Sequence, residues 1–190
     1  MHDVLLSHIK RFITADETVL QQLTVFFVPI NFQKRQILLA EGNPCTHLYF
    51  VTKGCLRLYC LDDKGTEQTL QFALEEWWMT DIDAFHKKRK SSYSVQALEN
   101  TTVLAITKDD WTILLNKFPE LEKYFRHVYE RAYAASLFRM KVLRLPKEEF
   151  YDLFCDKYPM FIQRIPQKIL ASFLGFTPEY LSELRKKKIK

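Results

Sequence analysis

Between Gln36 and Ile106 the chain breaks into six short stretches, QILLA, HLYFV, CLRLYCL, QTLQFAL, YSVQAL and TTVLAI, rich in apolar, β-branched and aromatic residues. The spaces between them are too short for a crossover helix at every step, so parallel strands are disfavoured. The spacing predicts an antiparallel barrel or jelly roll. Only four glycines occur; Gly42, Gly54 and Gly65 fall between these stretches and Gly175 lies far downstream. None belongs to a Gly-rich phosphate loop, which argues against a nucleotide triphosphatase or a Rossmann dehydrogenase.

The flanks have a different texture. From the start to about Phe27 the spacing is helical, with Thr14-Ala15-Asp16-Glu17 read as a capping-box-like start and Val19, Leu20 and Leu23 following. After the last strand, Asp109, Asp110 and Trp111 open a short helix ending near Phe118, and Pro119 starts a longer one. In the longer helix Leu121, Phe125, Val128, Ala132 and Ala135 alternate spacings of four and three, the seam expected of a two-helix coiled coil and hence of a homodimer. Pro146 marks a hinge, after which Phe150, Leu153 and Phe154 form an amphipathic turn pair before Tyr158 and Pro159.

The last stretch, RIPQKILASFLGFTPEYLSELRKKKIK, reads as two short helices joined by a tight turn. Pro166 suits a first helical turn, where a missing N–H costs nothing, and Ile169, Leu170 and Phe173 supply an apolar face. Gly175 makes the turn, Thr177 is the expected N-cap, and Pro178 starts a helix that buries Leu181 and Leu184. Glu179, Ser182, Arg185 and Lys186 then point outward. This is a helix-turn-helix pattern, whose second helix can enter the major groove of double-stranded DNA.

Charge supports that reading. The chain has 28 Lys and Arg against 23 Asp and Glu, yet from Lys157 onward it has eight against two. The basic excess therefore sits in the candidate reading head, where phosphate contact requires it. A hydrophobic content of 47% argues for a packed fold. No apolar run reaches the length of a membrane span, and Asp3, His8 and Lys10 interrupt the opening residues where a signal peptide would need an unbroken stretch. A cytoplasmic location without a membrane partner is the expectation. The cysteines Cys45, Cys55, Cys60 and Cys155 are too few and scattered for a disulfide scaffold, and no metal is expected.

Taken in order, EGNPCTHLYFVTKGCLRLY, YSVQALENTTVLAI and RIPQKILASFLGFTPEYLSELRKK resemble the Crp/Fnr family of bacterial transcription regulators over nearly the whole chain. The resemblance implies an α+β protein: an effector-sensing, cyclic-nucleotide-binding-like β-roll at 1–118, a dimerisation helix and hinge at 119–145, and a DNA-binding helix-turn-helix at 146–190. It implies a homodimer whose paired reading helices meet two half-sites of a palindrome, with RNA polymerase as a further partner. In the family's cyclic-AMP binders a Gly-Glu pair and an Arg about ten residues later hold the ribose and the cyclic phosphate. Here Thr80 and Asp81 stand where Gly-Glu is expected, and Ser91 stands at the Arg position.

Ser91 cannot make a bidentate charged contact, which argues against cyclic AMP and for a different small anionic effector or none. The residues carried over as a ligand cassette are Trp78, Thr80, Asp81, Arg89, Ser91 and Ser92; Lys87, Lys88 and Lys90 add a basic loop that is otherwise a solvated surface. On the DNA side the set is Gln167, Lys168, Thr177, Glu179, Tyr180, Ser182, Glu183, Arg185 and Lys186. Glu179 matches a position able to accept from a cytosine amino group, but Glu183 stands where Arg often reads guanine. Arg185, Lys186, Gln167 and Lys168 are the expected phosphate contacts. The sequence stops at Lys190, before the β-hairpin wing of many relatives. The alternative from another class is a ligand-binding or protein-interaction module with a degenerate helix-turn-helix. A cupin-like enzyme would need several His and carboxylate ligands, and only His47 and His86 lie in the roll, so no enzymatic activity is expected.

Overall fold

The computed structural model describes residues 1–189, without the side chains of residues 188 and 189. Two compact units emerge: Met1–Cys60 with Leu70–Tyr129, and Leu61–Thr69 with Glu130–Lys190. Helices α1 (His2–Lys10) and α2 (Glu17–Leu23) precede the strands β1 (Val28–Phe32), β2 (Ile37–Leu39), β3 (His47–Lys53), β4 (Leu56–Leu61), β5 (Glu67–Ala73) and β6 (Trp78–Met79). A short helix α3 (Ile82–Lys87), strands β7 (Ser94–Ala97) and β8 (Thr101–Thr107), and helices α4 (Lys108–Lys117) and α5 (Glu120–Val142) follow. The remaining helices are α6 (Lys147–Lys157), α7 (Pro159–Arg164), α8 (Gln167–Leu174) and α9 (Pro178–Ile189).

In the first unit the strands make two four-stranded sheets, ordered β1-β8-β3-β6 and β2-β7-β4-β5. The antiparallel roll expected from the sequence is the observed one. β3 and β8 pair with Tyr49 opposite Ala105 and Val51 opposite Val103, so bulky residues meet small or branched ones across the ladder. Phe50, on the opposite face of β3 from Tyr49, packs against His8 of α1 and Trp78 of β6, with ring centroids 5.5 and 5.0 Å away. Both faces of β3 are therefore covered, and its sequence is a continuous apolar run rather than an alternation. Gly54 carries the turn from β3 to β4 at φ +101°; a Cβ there would lie 2.7 Å from the Thr101 Cα, closer than such atoms approach.

The sequence expectations need several corrections. β1 contains Pro29 and no apolar alternation, and it forms because it lies at a sheet edge against β8, where a residue without an N–H is tolerated. α2 begins at Glu17 after Asp16, and Thr14 is not its cap. α4 begins one residue earlier than expected, after Thr107, whose hydroxyl accepts the Asp110 N–H at 3.1 Å. Leu121 and Phe125 do not lie on an outer seam. Both are buried in this unit's own core, Phe125 with its ring centroid 3.9 Å from that of Trp111. Val128 is half-buried against the same core.

Within the second unit, the tip between β4 and β5 is held by Asp62, whose Oδ1 accepts the Lys64 and Thr66 N–H groups, both at 2.9 Å. On the edge strand β5 the Thr69 N–H donates to the Ser172 hydroxyl at 2.9 Å, and that hydroxyl donates to the Glu67 carbonyl at 2.8 Å. One side chain of α8 thus satisfies two outward groups of this edge strand. Arg139 of α5 donates to the Phe173 carbonyl at 2.9 Å with its guanidinium 4.1 Å from the ring centre, closing the last turn of α8. Leu153, expected on the apolar face of α6, is 42% exposed; Phe150, Tyr151 and Phe154 are the buried side chains of that helix.

Candidate functional site

α8 and α9 build the helix-turn-helix. The buried face of α8 is Leu170, Ala171 and Leu174, one step around from the expected Ile169 and Phe173, both of which are half-buried. Gly175 ends α8 in the left-handed region at φ 72°, and the Phe176 N–H returns to the Ala171 carbonyl at 2.9 Å. Thr177 caps α9 as expected: its hydroxyl accepts the Tyr180 N–H at 3.2 Å. Leu181 and Leu184 are buried, which fixes the rotation of α9 and leaves Glu179, Glu183 and Lys186 exposed, with Ser182 and Arg185 half-exposed.

Besides Thr177, two members of the predicted DNA set have structural work within the unit. The Gln167 amide donates to the Pro178 carbonyl at 3.1 Å, bracing the start of α9 from the start of α8. Tyr180 stands edge-on to Phe176 at 5.5 Å between centroids, with the Lys147 ammonium 5.3 Å from its ring. Lys168 is exposed. Lys187, in the basic run, is paired with Glu148 at 3.0 Å, which holds its ammonium above the usual lysine range. Lys190 lies outside the described residues.

The cassette lies in the first unit. Asp81 is the N-cap of α3 and is buried; its Oδ1 accepts the Ala84 N–H at 3.1 Å, and its Oδ2 accepts the Ser91 O–H at 2.9 Å and the Ser92 N–H at 3.1 Å. Thr80 turns away, donating to the His47 carbonyl at 2.8 Å and lying 3.1 Å from the Cys45 thiol. Burial pushes that thiol above its ordinary pKa. The basic loop is largely neutralised: Arg89 and Lys87 pair with Asp83, and Lys88 with Asp109. The structure thus brings together Thr80, Asp81, Ser91 and Ser92, while Arg89 is engaged elsewhere. Trp78 does not share their hydrogen bonds. Its indole N–H donates at 2.9 Å to the hydroxyl of Tyr124, which lies 2.7 Å from His8 Nδ1.

That triad on α1, β6 and α5, with His8 and Tyr124 buried and Trp78 half-buried, was not visible beforehand, because the three residues are far apart in sequence and no local pattern joins them. A second polar chain runs from Lys108, 3.3 Å from His86 Nδ1, to Tyr129, whose hydroxyl is 3.2 Å from His86 Nε2. On the outward face of α5, Tyr133, Leu137 and Met140 are exposed at 67%, 47% and 58%. Their spacing of four and three was a legible signal, overshadowed by the parallel series ending at Ala132 and Ala135, which are exposed as well but small.

Residues 29–118 match the cyclic nucleotide-binding domain family. Over 91 residues the chain is 32% identical to the anaerobic regulatory protein of Pasteurella multocida, covering 48% of this chain and 33% of that one. The match thus spans about a third of the length of the curated relative. Among solved structures, FixK2 from Bradyrhizobium japonicum superposes with a TM-score of 0.72 at 15% identity, covering 85% of this chain and 83% of its own. The Thermus thermophilus catabolite activator protein does so with a TM-score of 0.60 at 18% identity, covering 93% and 84%. Residues 29–118 thus match the cyclic nucleotide-binding domain family, and the chain shares the fold of these two solved structures.

Proposed function

We propose that the protein is a homodimeric transcription regulator that binds palindromic double-stranded DNA through α9. The observation that carries this reading is the rotation of α9: burial of Leu181 and Leu184 turns Glu179, Glu183 and Lys186 to solvent on a helix seated by a capped turn. The concentration of eight Lys and Arg against two Glu from Lys157 onward supplies the field that phosphates require. In this reading Lys168, Arg185 and Lys186 contact phosphates, Glu179, Ser182 and Glu183 face base edges, and Thr177, Gln167 and Tyr180 hold the helix in place.

The second copy docks along the exposed α5 stripe of Tyr133, Leu137 and Met140, with Ala132 and Ala135 flanking it. A two-fold axis there pairs two reading heads about one turn of DNA apart, on the order of 34 Å. The fold likeness to FixK2 and the catabolite activator protein supports the same order of elements along the chain. RNA polymerase contact and a cytoplasmic location belong to this reading through the family resemblance. The test is selection of binding sites from random duplex DNA with the purified chain. A palindromic motif with fixed half-site spacing is the expected result. Recovery of no sequence above background at moderate salt refutes it and leaves the protein-interaction reading.

A further inference from the structure

We propose that the chain's own Asp81 carboxylate closes the cassette at residues 80–92, so that the roll takes no cyclic nucleotide and the protein engages DNA without one. The inference deepens the regulator reading and rests on it only for its second clause.

The closure is built from both sides of Asp81. On one side, the carboxylate takes the Ala84 N–H of the first turn of α3; on the other it takes the Ser91 hydroxyl and the Ser92 N–H. The segment that carries those two serines is stitched to the turn before β3. Gly42 N–H donates to the Ser91 carbonyl at 2.8 Å, Ser91 N–H to the Asn43 carbonyl at 2.9 Å, and Cys45 N–H to the Arg89 carbonyl at 3.0 Å. Pro44 and Lys90 lie opposite each other in the same bridge. Glu41 N–H is taken by the Ser94 hydroxyl at 3.0 Å.

With 5% of its surface exposed and three of its roughly four acceptor sites taken by backbone and serine donors, Asp81 has little to offer a ligand hydroxyl without breaking charge-assisted bonds. A phosphate brought to Ser91 and Ser92 would instead have to displace the carboxylate from the same donors and then lie beside it, anion against anion. Three of the four nearby cations are already paired, Arg89 and Lys87 with Asp83 and Lys88 with Asp109, and the fourth, Lys90, is an exposed side chain of a solvated loop. Thr80 is turned to the His47 carbonyl and the Cys45 thiol. Thr80, Asp81, Ser91 and Ser92 each have an intramolecular partner.

The experiment is residue-resolved hydrogen exchange on the full chain, alone and with millimolar cyclic AMP, cyclic GMP or a cyclic dinucleotide. The Ala84 and Ser92 amides of the free protein are expected to exchange as slowly as those in the middle of β3 and β8, with no change on adding nucleotide. Asp81→Ala should speed exchange at both by about tenfold or more, the signature of local opening. Should that variant fail to fold, Asp81→Asn is read instead; losing one acceptor oxygen, it should speed exchange at one of the two amides. Slower exchange or a raised melting temperature with any of the nucleotides overturns the proposal, as does unchanged exchange in the substituted proteins. Random-site selection that yields no motif would refute the regulator reading while leaving these exchange results standing.

Discussion

Tyr124→Phe is the sharpest probe of the first unit. Tyr124 lies fully buried, and its hydroxyl accepts the Trp78 indole N–H at 2.9 Å, so its own proton is available to His8 Nδ1 at 2.7 Å. Burial pushes this phenol far above its ordinary pKa, so it remains a neutral donor at any working pH. Removing the oxygen takes away the partner of a half-buried donor, the Trp78 N–H, and of a buried ring nitrogen, His8 Nδ1, while leaving the ring packing with Phe125 and Phe12 in place. A fully buried stranded group costs about 1–3 kcal/mol and the half-buried indole about 1 kcal/mol, so the expected loss is about 2–4 kcal/mol in unfolding free energy, with a fall of roughly 5–15 °C in melting temperature. The assay is urea unfolding followed by tryptophan fluorescence, because Trp77, Trp78 and Trp111 all lie in the first unit and report on it alone. A double-mutant cycle with Trp78→Phe should show a coupling of about 1 kcal/mol or more between the two. A loss under about 0.5 kcal/mol with no coupling would refute the argument that the network is dry and mutually satisfied.

Three further outcomes are expected. Leu137→Glu places a carboxylate on the α5 stripe and should convert a dimer to a monomer in sedimentation equilibrium, with the tryptophan transition unchanged; a persistent dimer would move the seam to the Ala132 and Ala135 face. Arg185→Ala should weaken binding to all duplexes alike and lower the salt slope by about 0.9 per lost phosphate contact, whereas Glu179→Ala should change base preference; equal effects of both on specific and random DNA would undo the division of roles. His86 sits half-covered beside Lys108, and burial first, then that ammonium, hold its pKa below the ordinary 6.5. The unfolded chain therefore binds the proton more readily than the folded one, so His86's contribution is fully present above about pH 6.5 and is lost as the pH falls through that value. His47 shifts the same way by burial, so His86→Gln should flatten part of the stability profile below about pH 6.5, and a stability that rises on acidification there would contradict this.

How much of this could be read beforehand differs by element. β3 and β8 announced themselves through dense β-branched and aromatic runs, and the α8–α9 turn through Gly175, Thr177 and Pro178, because local propensity and capping chemistry are written in neighbouring residues. β1 and β6 were illegible: β1 carries a proline and β6 is two residues long, and both exist because a neighbouring strand offers them a ladder. Leu121 and Phe125 were read as seam residues for a related reason. An apolar stripe records that a face is covered, but not by what, and Leu121 and Phe125 are covered by their own roll. Asp81 shows the same limit at the cassette. Its identity was legible, but the donors that claim it, Ala84, Ser91 and Ser92, were not.

The sequence by itself determined the order of parts, the antiparallel roll, the placement of a capped helix after Gly175 and the gathering of positive charge at the end of the chain. These follow from periodicity, turn chemistry and composition, which act over a few residues at a time. Tertiary structure alone decided which half of α5 is core and which is outward, that Gln167 braces a helix start, and that His8, Trp78 and Tyr124 satisfy one another across 116 positions of chain. It also decided that the cassette's carboxylate faces inward. Such outcomes depend on which distant groups arrive at the same place, and a buried polar atom must take whatever partner the packing delivers.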